Sequence, residues 1–261
     1  MELLTISALA IREIDYDEND KLLTLLTNEK GALTVIVKGA KSLRNKNSAC
    51  AQLLCYSEFI LKERNGFYTL NEASLIEQFF DVRRDMSSFA LAQYVAEVCS
   101  AISVENENGG EMLSLALNTL YMICKGERSL DIIKAVFELR CACVSGLCPD
   151  ITACKYCGCE EHDIYYLDVM NGSVCCGDCF GGDEDVSDRE TSGTTAVIIP
   201  LSKTIKDGMR YIIKANPKRI FSFTLPESDE AELCRVCEKY LLNQLGRGFK
   251  TLDFYKKVKT M

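Results

Sequence analysis

Histidine is almost missing from this chain: His162 is the single one in 261 residues. That scarcity excludes the H-E-x-x-H helix of zinc hydrolases. It also leaves no imidazole set for an open catalytic metal, and the H-x-E motif of the zinc deaminases is absent. His162 lies between Glu161 and Asp163 and reads as a loop residue. Missing too is any apolar run long enough to cross a bilayer, which takes about 20 residues. The opening Met1-Glu-Leu-Leu-Thr-Ile lacks the basic head and cleavage site of a secretory signal. A cytoplasmic location without a membrane partner is therefore expected. Nor is there an excess of basic residues: 30 Lys and Arg against 38 Asp and Glu give a net charge of −8. A surface for a polyanion must therefore be local.

What the chain does have is cysteine, fifteen of them. Without an export signal these are expected as reduced thiols, most of them packed as small hydrophobes. Four stand apart. Cys154-Lys-Tyr-Cys157 and Cys176-Gly-Asp-Cys179 are two C-x2-C pairs with eighteen residues between them, the spacing of a four-thiolate zinc site. A two-residue insert lets one tight turn aim two sulfurs at one ion, and two such turns complete a tetrahedron. Gly158 and Gly177 each adjoin a knuckle cysteine, where a positive φ is expected. Between the pairs, Asp163–Asp168 reads as a strand and Met170-Asn-Gly-Ser173 as its turn. Cys159 and Cys175 are spare thiols in the same region. Cys175 in place of Cys176 would leave the spacing to Cys179 one residue too long, and a set of reduced bystander thiols is the competing reading. A saturated set of four thiolates suits a structural ion rather than a catalytic one. A third C-x2-C, Cys234 and Cys237, falls in a helical pattern without a partner pair and reads as two core thiols.

The first eighty residues have the pattern of β structure. Strands are expected at 3–14, 21–27, 32–38, 52–64 and 67–73, with a turn at Thr27–Gly31 and a hairpin at Asn65-Gly66. Five short strands suit a small closed barrel, of OB or SH3-like type. From Asp81 the apolar period becomes helical, with helices expected at 87–102, 111–124 and 130–144, the last capped by Ser129. Cys141 and Cys143 near its end read as packing residues, and Gly146 and Pro149 end it. The stretch from Thr194 to Ala215 reads as helical with a break near Pro200, Arg219–Phe223 as short and extended, and Glu227–Leu245 as a helix closed by Gly246. The fold class is thus α+β: a barrel domain at 1–80, then a helical domain at 81–261 with the cysteine ribbon inserted at about 150–182.

Charge is unevenly spread. Between Lys30 and Asn47 the charged residues are Lys30, Lys38, Lys41, Arg44 and Lys46, with no acid among them. A basic, glycine-containing loop of this kind can follow a phosphate backbone, so Lys38, Lys41, Arg44 and Lys46 are candidate DNA contacts. Tyr56, Phe59, Phe67 and Tyr68 are available to stack bases, although strand aromatics more often serve the core. A second basic stretch, Arg247–Met261, reads as a solubilising tail. The acidic Asp183-Glu-Asp185, with Asp188 and Glu190, reads as a solvated loop.

Three segments carry a resemblance: Asp17-Glu-Asn-Asp20 with Leu22–Thr27 and Val37-Lys-Gly-Ala-Lys41; Phe137-Glu-Leu-Arg140 followed by Gly146-Leu-Cys-Pro149 and the first knuckle; and Tyr240–Tyr255. Together they resemble, in order and over nearly the whole chain, the RecO family of DNA repair proteins. The resemblance implies an N-terminal OB-fold and a helical domain with one structural Zn2+ on Cys154, Cys157, Cys176 and Cys179. It implies a protein that is not an enzyme. Such a protein binds single- and double-stranded DNA and anneals complementary strands. With RecR, and in many bacteria RecF, it loads RecA onto strands covered by single-stranded DNA-binding protein (SSB). The acidity of this chain favours a second reading, a zinc-stabilised adaptor whose barrel binds protein rather than DNA.

Overall fold

The computed structural model describes residues 2–42, 45–182 and 197–260. Arg44, the acidic segment at 183–190 and residues 194–196 of the stretch expected to be helical lie outside the described residues. Strands β1 (Glu2–Tyr16), β2 (Asp20–Thr27), β3 (Ala32–Val37), β4 (Tyr56–Arg64) and β5 (Phe67–Glu77) come first. Helices α1 (Met86–Ile102), α2 (Gly110–Lys125) and α3 (Leu130–Val144) follow. Then come β6 (Ile164–Asp168), β7 (Ser173–Cys176), α4 (Gly177–Gly182), β8 (Ile198–Ser202), α5 (Lys203–Lys214), α6 (Glu227–Leu245) and α7 (Lys250–Lys259). They form two compact units, Met1–Arg128 with Phe249–Met261, and Ser129–Gly248.

In the first unit the five strands close a barrel in the order β1-β2-β3-β5-β4. Closure depends on the length of β1. Its first half pairs with β4, from Glu2 with Glu63 to Leu9 with Tyr56. Its second half pairs with β2, from Ala8 with Thr27 to Tyr16 with Asp20, past a bulge between Ala10 and Arg12. A bulge adds local twist and lets one strand serve two neighbours. The seam is the short parallel pairing of Val35 with Tyr68 and Ile36 with Thr69. Alternation aims Leu33, Val35 and Val37 of β3, with Leu23, Leu25, Phe59 and Leu61, into one apolar core, each worth about 1.5–3 kcal/mol of burial. Asn65 and Gly66 both have positive φ, 53° and 79°, as the tight hairpin turn requires.

The same unit carries α1, α2 and α7. Asp85 caps α1: its carboxylate accepts from the Ser88 N–H at 2.8 Å and from the Ser88 hydroxyl at 2.7 Å. The tail read as a solubilising stretch is a helix, α7, seated on α1. Phe249 meets Tyr94 edge-on with ring centroids 5.7 Å apart, and Glu97 accepts from the Thr251 N–H and hydroxyl. The loop between α1 and α2 docks on the β2–β3 turn, where the Asn106 N–H donates to Lys30 O at 3.0 Å and the Gly109 N–H to Asn28 O at 2.9 Å. Gly31 lies under that loop at φ 58°, and a Cβ there would collide with the Val104 carbonyl oxygen.

In the second unit α3 packs along α6. Ser129 caps α3 by accepting from the Ile132 N–H at 3.3 Å. Between the helices, the fully buried Lys134 ammonium lies 2.9 Å from Glu138 and 2.8 Å from Glu238. Cys141 is core, as is Cys237. Cys143 is only half-buried, with its sulfur 2.8 Å from that of Cys148 in the following loop. Cys234 is also half-buried and sits 3.6 Å from the Lys134 ammonium. Two expectations are corrected. Ile198–Ser202 is a strand, not helix: β8 pairs antiparallel with β6, Tyr165 facing Leu201, and completes a sheet in the order β7-β6-β8. Its β-branched residues favour the pleat, and Pro200 is tolerated because β8 is an edge strand. Pro217–Phe221 is a turn rather than an extended segment, closed by the Arg219 N–H donating to Asn216 O at 2.8 Å.

Candidate metal centre and nucleic-acid interface

The β6–β7 hairpin brings the two knuckles together. Its register sets Tyr165 opposite Cys176 and Tyr166 opposite Cys175. The first knuckle is tied to the same hairpin by the Lys155 N–H, which donates to Val174 O at 2.9 Å. Within that knuckle the Gly158 N–H donates to Cys154 O at 2.8 Å, and Gly158 turns at φ 72°. Gly177 does not have a positive φ, contrary to expectation. What it needs is room, since a Cβ there would come within 2.8 Å of His162 Cε1. The second knuckle runs from β7 into α4, and Phe180 at its end stacks on Tyr166 with centroids 3.7 Å apart.

The outcome is one cluster, Cys154, Cys157, Cys176 and Cys179, with all four sulfurs within 4.8 Å of one another. The Cys157 and Cys176 sulfurs are 3.6 Å apart. An ion with four Zn–S bonds of about 2.3 Å would set sulfurs about 3.8 Å apart. Cys154 is buried, which opposes its ionisation, but the N–H groups of Cys157, Cys176 and Tyr156 donate to its sulfur and bring its pKa down to about 6. Cys179 is pushed up by hydrogen bonds to Cys157 and Cys176. The Cys154 thiolate forms readily, while Cys176 and Cys179 hold their protons, Cys176 chiefly through burial and Cys179 through hydrogen bonds to its neighbours. A divalent cation among them is the charge that lets all four ionise. The donor set therefore fits a metal ion.

Neither spare thiol belongs to the four-sulfur cluster, although Cys175 is hydrogen-bonded to the Cys154 sulfur. Cys159 donates to Glu161 O at 2.9 Å and Cys175 to Cys176 O at 3.4 Å. His162 is engaged on both ring nitrogens, with Nδ1 2.7 Å from Ile164 O and Nε2 3.3 Å from Asp178. Around the cluster, Lys206 is buried, donates to Glu160 O at 2.7 Å and lies 3.9 Å above the Tyr165 ring. Burial lowers its pKa. Lys155 reaches Asp168 at 3.5 Å. These contacts build a polar brace beside the buried apolar face of the sheet, which carries Leu167, Val174, Ile199 and Leu201.

The connection from β3 to β4 holds the candidate DNA contacts. Gly39 turns the chain at φ 61° and its N–H donates to Asp20 at 2.8 Å. Asn45 donates to Lys38 O at 2.9 Å, and Asn47 joins the connection to β5 through the Ala73 N–H and Asn71 O. On this stitched frame Lys38, Lys41 and Lys46 are exposed. Lys41 reaches Asp15 at 3.4 Å, an exposed pair worth little. Arg44 lies outside the described residues. Of the four aromatics, Phe59 and Tyr68 are core, Tyr56 is half-buried and Phe67 is 69% exposed beside the Asn65-Gly66 turn.

A closed five-stranded barrel of OB-like type, followed by helices and a ribbon that gathers four thiols, defines a class: barrel proteins with a metal-type cysteine cluster. The family pattern described as Recombination protein O N terminal matches residues 1–79, and Recombination protein O C terminal matches residues 83–192. The chain is 30% identical to the DNA repair protein RecO of Acetivibrio thermocellus over 256 residues, 98% of this chain and 97% of that one. It is 26% identical to the DNA repair protein RecO of Bacillus subtilis over 253 residues, 97% and 94% of the two chains. The chain belongs to the RecO family of DNA repair proteins.

Proposed function

We propose that this protein is a recombination mediator that works by electrostatics and positioning, not by catalysis. Its barrel binds single- and double-stranded DNA without reading sequence, and it anneals complementary strands. With RecR, and with RecF, it helps load RecA onto SSB-coated DNA in the cytoplasm. The observation that carries this reading is the exposed basic connection on a closed barrel in a chain of this family. Lys38, Lys41, Arg44 and Lys46 neutralise phosphates. Two strands held on one surface repel each other less and meet at higher local concentration, so pairing accelerates. Cys154, Cys157, Cys176 and Cys179 hold one Zn2+, which supplies folding energy to the ribbon and no chemistry.

Annealing of complementary strands coated with SSB, with and without RecR, tests the reading. RecR-dependent pairing is expected, and its absence would sink the mediator role. The variant Lys38→Ala/Lys41→Ala/Arg44→Ala locates the surface: its single-strand affinity should fall less steeply with salt, and an unchanged slope would rule the surface out. The net charge of −8 favours a second reading, a zinc-stabilised adaptor with little DNA binding of its own. That reading requires the triple variant to lose a protein partner in pull-down while DNA binding by the unaltered chain is negligible.

A further inference from the structure

The most concentrated positive charge in the second unit lies at the end of α5. Residues 203–219 hold six basic side chains and one acid, Asp207, in a chain whose net charge is −8. Half of that charge is already used. Lys203 pairs with Glu161 at 2.5 Å, Lys206 is buried on Glu160 O, and Arg210 pairs with Asp207 at 2.7 Å. Lys214, Lys218 and Arg219 remain exposed, with no acidic partner among the described residues. They sit on a fixed frame. The Tyr211 hydroxyl donates to Arg219 O at 2.8 Å, and the Lys218 N–H donates to the Asn216 side chain at 3.0 Å, so the turn is held back against the helix. Asp207, Arg210, Tyr211, Lys214 and Ala215 line an open groove along that face.

One feature would ordinarily repel an anion here: the carbonyl end of a helix carries partial negative charge. In this unit Arg140 covers it, donating to Ile213 O at 2.6 Å and Ile212 O at 3.4 Å. The helix end is thereby made neutral to positive, with three solvated cations beyond it. We propose that this face, Lys214, Lys218 and Arg219 beside the Arg210–Tyr211 groove, is a second contact surface for the phosphate backbone of single-stranded DNA, separate from the β3–β4 connection. The proposal rests on the DNA-binding reading above for its choice of polyanion. The three cations are exposed and lack a buried polar partner, which suits a repeating backbone better than one bound phosphate.

The test is fluorescence anisotropy of a labelled oligo-dT strand with the full-length chain across a salt series. Three proteins are compared: the unaltered chain, Lys214→Ala/Lys218→Ala/Arg219→Ala, and Lys38→Ala/Lys41→Ala/Lys46→Ala. Each phosphate contact contributes about 0.7 to the log–log salt slope on a single strand, so losing three lowers it by about 2. The α5-face variant should show that drop, with binding weakened on the order of tenfold at low salt. Far-ultraviolet circular dichroism should be unchanged, and Lys214→Arg/Lys218→Arg should retain the slope. An α5-face variant with the unaltered slope overturns the proposal. So does an unaltered chain that ignores oligo-dT yet binds poly-glutamate through these residues, because the partner is then an acidic protein and the DNA-binding reading falls as well. Weakening by the α5-face variant alone, with the barrel variant silent, supports this surface and removes the barrel loop instead.

Discussion

At Gly31 two constraints coincide, a positive φ of 58° and a carbonyl oxygen where a Cβ would stand. Gly66 shares the first constraint, at φ 79°, but has nothing within 4 Å. Gly66→Ala should therefore cost only the backbone strain, about 1–3 kcal/mol. Gly31→Ala should cost clearly more and lift the α1–α2 loop off the barrel, as urea unfolding of the two variants would show. Lys134 offers a second comparison. Burial opposes its charge, but Glu138 and Glu238 outweigh that and raise its pKa. Its contribution is thus complete below the unfolded-state value of about 10.4 and fades only as pH climbs through the folded one. Lys134→Met leaves Glu138 buried without its counter-charge and should cost about 3–5 kcal/mol, much of it recovered in Lys134→Met/Glu138→Leu. Some of this scale was legible in advance. Ser129 and Gly246 are caps in sequence and in structure, because a cap depends on neighbours a few residues away. The need for glycine at 177 was misattributed to φ, because the atom that demands it belongs to His162, fifteen residues earlier.

Among the elements, the ribbon is the one whose stability a bound ion would affect most, since its two knuckles meet at the four-sulfur cluster and along the β6–β7 hairpin. Metal should co-purify at one ion per chain. Stripping it with a chelator should free four thiols to titration and melt the β6–β7–β8 sheet, with a lowered Tm by calorimetry, and Cys154→Ser should reproduce both effects. Full retention of structure after stripping would show that the ion is dispensable. The strands of the barrel and α1, α2, α3 and α6 were readable to within a few residues, from apolar runs or alternation bounded by turn residues in the strands and from helical apolar spacing in the helices. β8 was not. Ile198–Ser202 is short, apolar throughout and interrupted by proline, and only its pairing with β6 makes it a strand. The seat of α7 was equally hidden, because Phe249, Leu252 and Tyr255 look like isolated apolar residues until α1 is set against them.

For the molecule as a whole, an acidic chain can bind DNA as proposed only if its cations are gathered in a few places, and the salt series above reads out how many. Lowering ionic strength should strengthen oligo-dT binding markedly in the unaltered chain, and the gain should shrink with each cationic face removed. The sequence alone pointed to the basic connection after β3, since no acid interrupts it. It did not isolate the α5 face, whose cations become distinct only once Lys203, Lys206 and Arg210 are seen to be engaged. The candidate metal ligands needed no such help, because their spacing already encodes two turns around one point.

The first compact unit is discontinuous: residues 249–260 complete what residues 1–128 begin, and the second unit is made in between. On the ribosome the 120 residues of Ser129–Gly248 must emerge before α7 can reach α1. Of the two units, the barrel's is begun before the other and completed after it. A nascent chain stalled shortly before Phe249 would expose the apolar surface of α1 that α7 covers.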